Sequence, residues 1–195
     1  MKTIFKVLAA LLIICNCAYG QVKWEVDPAH TNVRFEVNHL GIAFVDGQFK
    51  KLEGSVETKS DKDFNGAKIN FIIDVNSIDT RVEMRDNHLK SDDFFSAQKY
   101  PTMKLENAVL NGKDGNYTLT GDLTIRDITK KVTFTVKQNN GIITDPWGKT
   151  RAGFTATGRI NRFDFGIQYA DKLPTGVMAV APEVELTINV ELVKN

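Results

Sequence analysis

From Val22 onward the chain alternates apolar and polar residues one by one, and this period of two most constrains its fold. Successive side chains of a strand point to opposite faces, so such a chain makes strands with one apolar side each. Val22, Trp24 and Val26 alternate with charged neighbours until Asp27-Pro28 closes the strand. Val33, Phe35 and Val37 repeat the pattern. Gly41–Gly47 reads as an apolar loop holding Ile42, Ala43, Phe44 and Val45. One strand is expected from Gln48 to Lys59, with a bulge or bend at Gly54. After a polar turn at Ser60–Gly66, further strands are expected around Ile69–Val75, Met103–Leu110, Tyr117–Ile125, Val132–Val136, Phe154–Ile160 and Val184–Val193. Gln138–Gly148 reads as a polar loop, and Gln168–Pro182 as an irregular segment.

One stretch breaks the alternation. Thr80 to Pro101 carries a capping-box pattern, Thr80 followed three residues later by Glu83, and then pairs at helical spacing, Met84 with His88 and Arg85 with Leu89. Ser91, followed by Asp92 and Asp93, is placed to cap a second short turn that carries Phe94 and Phe95. Pro101 ends it. The expectation is two short helical pieces lying over the end of a sheet structure.

About eight or nine one-faced strands joined mostly by short turns imply an antiparallel sheet, and a sheet that wide closes into a barrel or splits into a sandwich. The fold class expected is all-β, an antiparallel barrel of about eight strands with a short helical insert. A membrane barrel would turn the apolar faces outward. Here the polar faces are rich in Lys, Glu and Arg and the strands lack aromatic girdles, which favours an inward apolar face.

Residues 1–20 read as a signal peptide: Lys2 and Lys6, the apolar run Val7–Cys15, then Ala18-Tyr19-Gly20 before Gln21. The run is too short to span a bilayer, and no later stretch is long and apolar enough, so no transmembrane segment is expected. Residues 21–195 then form one exported domain, periplasmic or secreted. Both cysteines, Cys15 and Cys17, fall in the leader, so the mature domain has no disulfide; lipoprotein anchoring through either is the competing reading, weakened by the bulky Ile14 and Asn16 before them. The chain carries 25 basic and 24 acidic residues, and the leader holds two of the lysines. Near-neutral charge with interspersed signs argues against a nucleic-acid partner.

No glycine-rich phosphate loop or nucleophile elbow is present, and His30, His39 and His88 lack metal-ligand spacing, so no cofactor, metal or catalytic residue is assigned. The strongest functional feature is the apolar face itself. Its pocket candidates are Phe35, Val37, Phe71, Ile73, Leu105, Leu119, Leu123, Phe134, Phe154 and Ile188. Such residues build the core of any sheet, and they become a binding site only if the barrel is hollow. Burying about ten methylenes at roughly 0.8 kcal/mol each gives about 8 kcal/mol gross, enough for a roughly micromolar greasy ligand after ordering costs. Arg85 and His88 share a helix face and, with Phe94 and Phe95, are the candidates for a lid or head-group contact. A structural network docking the insert onto the barrel is the other reading of the polar pair. Arg162 and Asp164 read as same-face strand residues clamping the insert.

Trp24-x-x-Asp27-x-Ala29-His30-Thr31, Val33-x-Phe35-x-Val37-x-His39-Leu40, Gly47-x-Phe49, Arg85-Asp86-x-His88-Leu89, Phe94-Phe95, Tyr100-Pro101, Gly121 to Ile125, Gly153-Phe154 and Ile160-x-Arg162-x-Asp164-Phe165-Gly166 occur in this order. Together they resemble the YceI family over nearly the whole chain after the leader. The resemblance implies a lipocalin-like barrel, usually periplasmic, with a long apolar pocket for polyisoprenoids or similar amphiphiles. Arg85, Asp86, His88, Phe94, Phe95, Arg162, Asp164 and Phe165 are the motif positions that carry over. Thr31 replaces a more usual Ser, and Pro182 interrupts a segment that is more Gly- and Asp-rich in the family, which bears on the pocket mouth.

The expected function is therefore an exported carrier that sequesters a polyisoprenoid or fatty-acyl lipid. An enzyme acting on a prenyl lipid or quinone, and a filled barrel that binds other proteins, are the alternatives. The sequence leaves the oligomeric state open, a homodimer included.

Overall fold

The computed structural model describes residues 21–195; the expected leader, with Cys15 and Cys17, lies outside the described residues. Eleven strands form one sheet, and three pairs of them are single chain passes interrupted midway. β1 (Val22–Val26) and β2 (Asn32–His39) run end to end along β11 (Val180–Lys194). β3 (Ala43–Phe49) and β4 (Leu52–Thr58) follow the same course one strand over, and β5 (Ala67–Asp74) with the short β6 (Ile78–Asp79) follows the next. β7 (Thr102–Lys113), β8 (Asn116–Ile125), β9 (Ile128–Thr144), β10 (Thr150–Asn161) and β11 add five more passes, each antiparallel to its predecessor. The ring closes where Trp24 pairs with Lys194 and Val26 with Leu192. The result is an eight-stranded, closed antiparallel barrel with one short helix, α1 (Glu83–Lys90).

The passes give the barrel two ends. The upper end holds the β2–β3 hairpin tip, the insert between β6 and β7, the tight β8–β9 turn and the segment between β10 and β11. The lower end holds the β4–β5, β7–β8 and β9–β10 connections. It is plugged by aromatic rings: Trp24 and Phe64 lie 5.0 Å apart between centroids, and Phe64 and Phe154 4.7 Å. Trp24 is 0% exposed, and its indole Nε1 donates to Thr58 Oγ1 at 3.1 Å, as a buried indole N–H requires. Phe64 comes from the Ser60–Gly66 turn, which is therefore not wholly polar.

Several local expectations are corrected. The apolar loop at Gly41–Gly47 is largely strand β3, whose outward residue Phe44 is apolar and exposed, so polarity did not mark the alternation. The strand expected from Gln48 to Lys59 breaks at Lys50-Lys51, whose N–H groups turn to Ser77 O (3.2 Å) and Ser77 Oγ (3.0 Å) in the 3-10 turn Val75–Ser77. β9 runs on to Thr144, through most of the expected polar loop, with a register shift where Asn140 and Gly141 take positive φ. β11 begins at Val180 and contains Pro182, accommodated where its register against β2 shifts between Val180 and Val184.

The insert holds one helix followed by turns, not two helical pieces. The N-cap of α1 is Val82, with no side-chain cap, and Glu83 is exposed, so the capping box does not form. Thr80 is buried instead. Ser91 ends α1: its hydroxyl donates to His88 O at 2.7 Å. Among the described residues, no helix is long and apolar enough to cross a membrane.

Candidate ligand cavity

The upper half of the barrel encloses a cavity of about 130 Å³. Phe35, Val37, Phe71, Ile73, Leu105, Leu123, Phe134 and Ile188, eight of the pocket candidates, line it. The other two, Leu119 and Phe154, share their parity but sit lower, around a separate void of about 40 Å³ against the aromatic plug. Phe71 borders both spaces and forms the floor between them. The interior is thus filled below and hollow above, which removes the wholly filled barrel.

The insert supplies the roof. Phe94 and Phe95 face the cavity, as does Leu89, the one residue of α1 to do so. The Phe94 ring is held by Tyr169, 4.8 Å away, and by His88, edge-on at 5.1 Å. Phe95 N donates to Leu89 O at 3.0 Å, and Ala97 N to Lys90 O at 2.8 Å, fastening the turn onto the end of α1. Phe95 packs edge-on against Phe49 at 5.7 Å.

Arg85 and His88 do not line this space and have separate partners. Arg85 donates through Nε to Thr80 Oγ1 (2.8 Å) and through Nη2 to Thr80 O (2.7 Å). Asp86 accepts from Thr80 N (2.9 Å) and Oγ1 (2.5 Å). Adjacent on the helix, Arg85 and Asp86 still meet, because Thr80 lies below the first turn. His88 Nε2 lies 2.8 Å from Asp93 Oδ2 on the exposed outer side. These bonds stay within the Thr80–Pro101 stretch: Arg85 and Asp86 tie α1 to buried Thr80 just after β6, and His88 ties it only to the turn that follows.

Among the described residues, one polar side chain borders the cavity, with its guanidinium turned into the wall. Arg162 begins the 3-10 turn Arg162–Phe165, rather than ending a strand, and is 4% exposed while Asp164 points to solvent. It donates from Nε to Ala181 O (3.0 Å), from Nη1 to Ile167 O (2.9 Å) and from Nη2 to Val180 O (2.8 Å). It therefore clamps the start of β11, not the insert. Desolvation lowers its pKa, but a guanidinium remains charged. Arg126 links this turn to the insert, through Nη1 to Gly166 O (2.7 Å) and Phe94 O (3.4 Å). Alternation could have found Val33, Phe49 and Leu186, which share strand faces with the candidates; it carries no signal for Arg162 or Ile167, which lie outside the strands.

Beyond the cavity, the β2–β3 tip exposes Ile42 (85%) and Phe44 (64%), beside Val177, and Leu40 N donates to Ala179 O at 3.1 Å. The Asp27 and His30 motif lies elsewhere, on the outer wall of the lower half. There Arg151 bonds Asp27 (2.7 Å), Asp145 (2.6 Å) and Glu191 (2.5 Å). Arg151 holds the Asp27 carboxyl down to about 2. Asp27, His30 and Glu191 bring ligand atoms within 4.8 Å of one another, but the guanidinium already bridges both carboxylates.

Known proteins share this fold. The family profile described as YceI-like domain matches residues 24–192. A Salmonella arizonae protein called Protein YceI is 35% identical over 185 residues, covering 94% of this chain and 93% of that one. Among solved structures, a Campylobacter jejuni YCEI protein superposes with a TM-score of 0.67 at 28% identity, covering 81% of this chain and 90% of its own. Burkholderia cenocepacia BcnA gives 0.70 at 23%, covering 85% and 98%, and a polyisoprenoid binding domain from Saccharophagus degradans 0.62 at 13%, covering 88% and 98%. The last two speak to the fold alone.

Proposed function

Since the chain belongs to the YceI family, we propose that it is a binding protein for a single-chain, water-insoluble amphiphile, a polyisoprenoid or fatty-acyl lipid. The observation that carries this reading is the upper cavity, whose lining is apolar at every position but Arg162. An apolar cavity of about 150 Å³ takes one benzene ring, so a space of about 130 Å³ holds roughly five carbons as it stands. Burying that many at roughly 0.8 kcal/mol each gives about 4 kcal/mol gross, so tighter binding needs the roof to shift and the space to widen around a longer chain. A Saccharophagus degradans domain of the same fold is itself described as polyisoprenoid binding. Carriage, rather than turnover, suits a lining without an acid, base or nucleophile among the described residues. The leader read at residues 1–20 makes the periplasm or the extracellular medium its place of action.

The test is mass spectrometry of organic extracts from gently purified protein, followed by uptake of added prenyl lipids. A co-purifying lipid or saturable uptake is expected. A clean extract together with no uptake would reject the proposal.

A further inference from the structure

We propose that the upper end of the barrel docks on a lipid bilayer through two uncharged hairpin tips, and that docking sets the cavity against the membrane. The first tip, Leu40–Val45, carries the chain from β2 into β3. The second belongs to the hairpin Asp171–Ala179 before β11, closed by Leu173 N to Val177 O, Gly176 N to Leu173 O and Ala179 N to Asp171 O, each at 2.8 Å. The two tips touch. Leu40 N donates to Ala179 O at 3.1 Å, and a β-carbon on Gly41 would fall 3.3 Å from Val177 Cγ1. Together they expose Ile42, Phe44, Leu173 and Val177. Neither Leu40–Val45 nor Leu173–Pro182 holds a charged residue, in a chain that is 25% charged. A contiguous apolar surface of this kind marks a docking site, whereas single exposed apolar residues do not.

Three observations select a bilayer as the occupant. A partner recognised by charge needs charged contacts, and here charges stand only at the base of each tip: Asp46 with Arg81 at 2.5 Å, and exposed Asp171 beside Lys172. The N–H groups of the turns are met inside the chain, Ile42 by His39 O (3.2 Å), Gly41 by Asn38 Oδ1 (2.9 Å) and the others as above. Hydrocarbon demands such internal satisfaction. The surface is also continuous with the cavity. Val37 and Val180 line that space, and their ladder partners are Val45 and His39 at the foot of the first tip. A lipid crossing between bilayer and cavity therefore stays against apolar side chains. This third point rests on the binding function proposed above; the first two do not. With the net charge near zero, attachment comes from apolar insertion and not from anionic head groups. The outer edge of β3 pairs with β6 only at Gln48 and Phe49, which makes a second copy of the chain the competing occupant.

The experiment is flotation of the mature protein with phosphatidylcholine vesicles, with and without one-fifth phosphatidylglycerol, in low and high salt. The unaltered protein should float in every case, its affinity changing less than about twofold with lipid charge or salt. Ile42→Ser combined with Phe44→Ser should weaken vesicle binding about tenfold or more. Trp147→Ser, equally exposed at the opposite end, should leave it unchanged. Both substituted side chains of the double variant are exposed, so its circular dichroism and its uptake of a fluorescent fatty acid from solution should match the parent. Absence of flotation, flotation abolished by salt, or flotation indifferent to the double substitution would overturn the docking. A parent that does not float but sediments as a dimer, split by the double substitution, would give the surface to a second copy. Fatty-acid uptake by the parent is scored separately, so docking and the binding function fail independently.

Discussion

Gly54 lies directly across the β4–β5 ladder from Phe71, so close that a β-carbon on Gly54 would fall 2.1 Å from Cδ1 of the phenylalanine ring. The same carbon would sit 2.5 Å from Asn70 O, so the backbone as well as the ring stands in the way. The glycine lets Phe71 lie flat against the barrel wall and separate the cavity from the packed lower half. Gly54→Ala should displace that floor and destabilise the fold by about 1–3 kcal/mol, the usual cost of overpacking. Urea unfolding measures it. Phe71→Leu in the same chain should recover part of the loss, since the two residues are in contact and their effects will not add.

Asp27 gives a pH signature. Arg151 holds its carboxyl at about 2 in the folded protein against an ordinary 3.8. A depressed carboxyl contributes stability that is full above about pH 4 and is lost as the pH falls toward 2. A shift of that size corresponds to about 2 kcal/mol at 1.36 kcal/mol per unit. Asp27→Asn should therefore be less stable than the parent by about that much at pH 7, and the two urea curves should converge as the pH approaches 2. A gap that stays constant across that range would contradict the assignment.

The lower plug is tied by Thr58, whose hydroxyl accepts from the Trp24 indole and donates to Ser60 O at 2.6 Å. Thr58→Val keeps the shape of the side chain but leaves the Trp24 indole N–H buried without its acceptor. The expected cost is about 1–3 kcal/mol. Fluorescence-detected unfolding in a Trp147→Phe background isolates Trp24, because Trp147 is exposed and makes little contribution to the core.

The roof should control release. Phe94→Ala removes a buried ring that touches both Tyr169 and His88, at a cost of about 3–4 kcal/mol in stability. With the roof thinned, a bound lipid should dissociate roughly tenfold faster while association changes less. Stopped-flow transfer of a fluorescent fatty acid to acceptor vesicles reads the rate. Met84→Ala, on the exposed side of α1, should leave both quantities within about 0.5 kcal/mol of the parent.

How much of this was legible beforehand depends on what a period of two can encode. Parity along a strand says whether a side chain faces in or out, and it placed Phe35, Phe71 and Phe134 inside. It says nothing of height along the barrel axis. Leu119 and Phe154 have the right parity, yet their ladder partners Leu110 and Val190 belong to the lower storey, and only the register reveals this. In the insert, spacing put Arg85 and His88 on one face, but the partner that captures Arg85 is Thr80, outside the helix. Strand spacing alone suggests Arg162 as a clamp on the insert. Its acceptors are main-chain oxygens of Ile167, Val180 and Ala181, and no residue type in the sequence advertises a carbonyl.

The ring has a seam, where the first strand meets the last. During synthesis the other ladders can zip as they emerge, but the seam waits for the last strand, whose residues Val184–Asn189 pair with β2 and Leu192–Lys194 with β1. Until that moment the nascent sheet is an open ribbon with its greasy side bare, prone to sticking to whatever is near. The final dozen residues therefore decide when the protein acquires an inside at all.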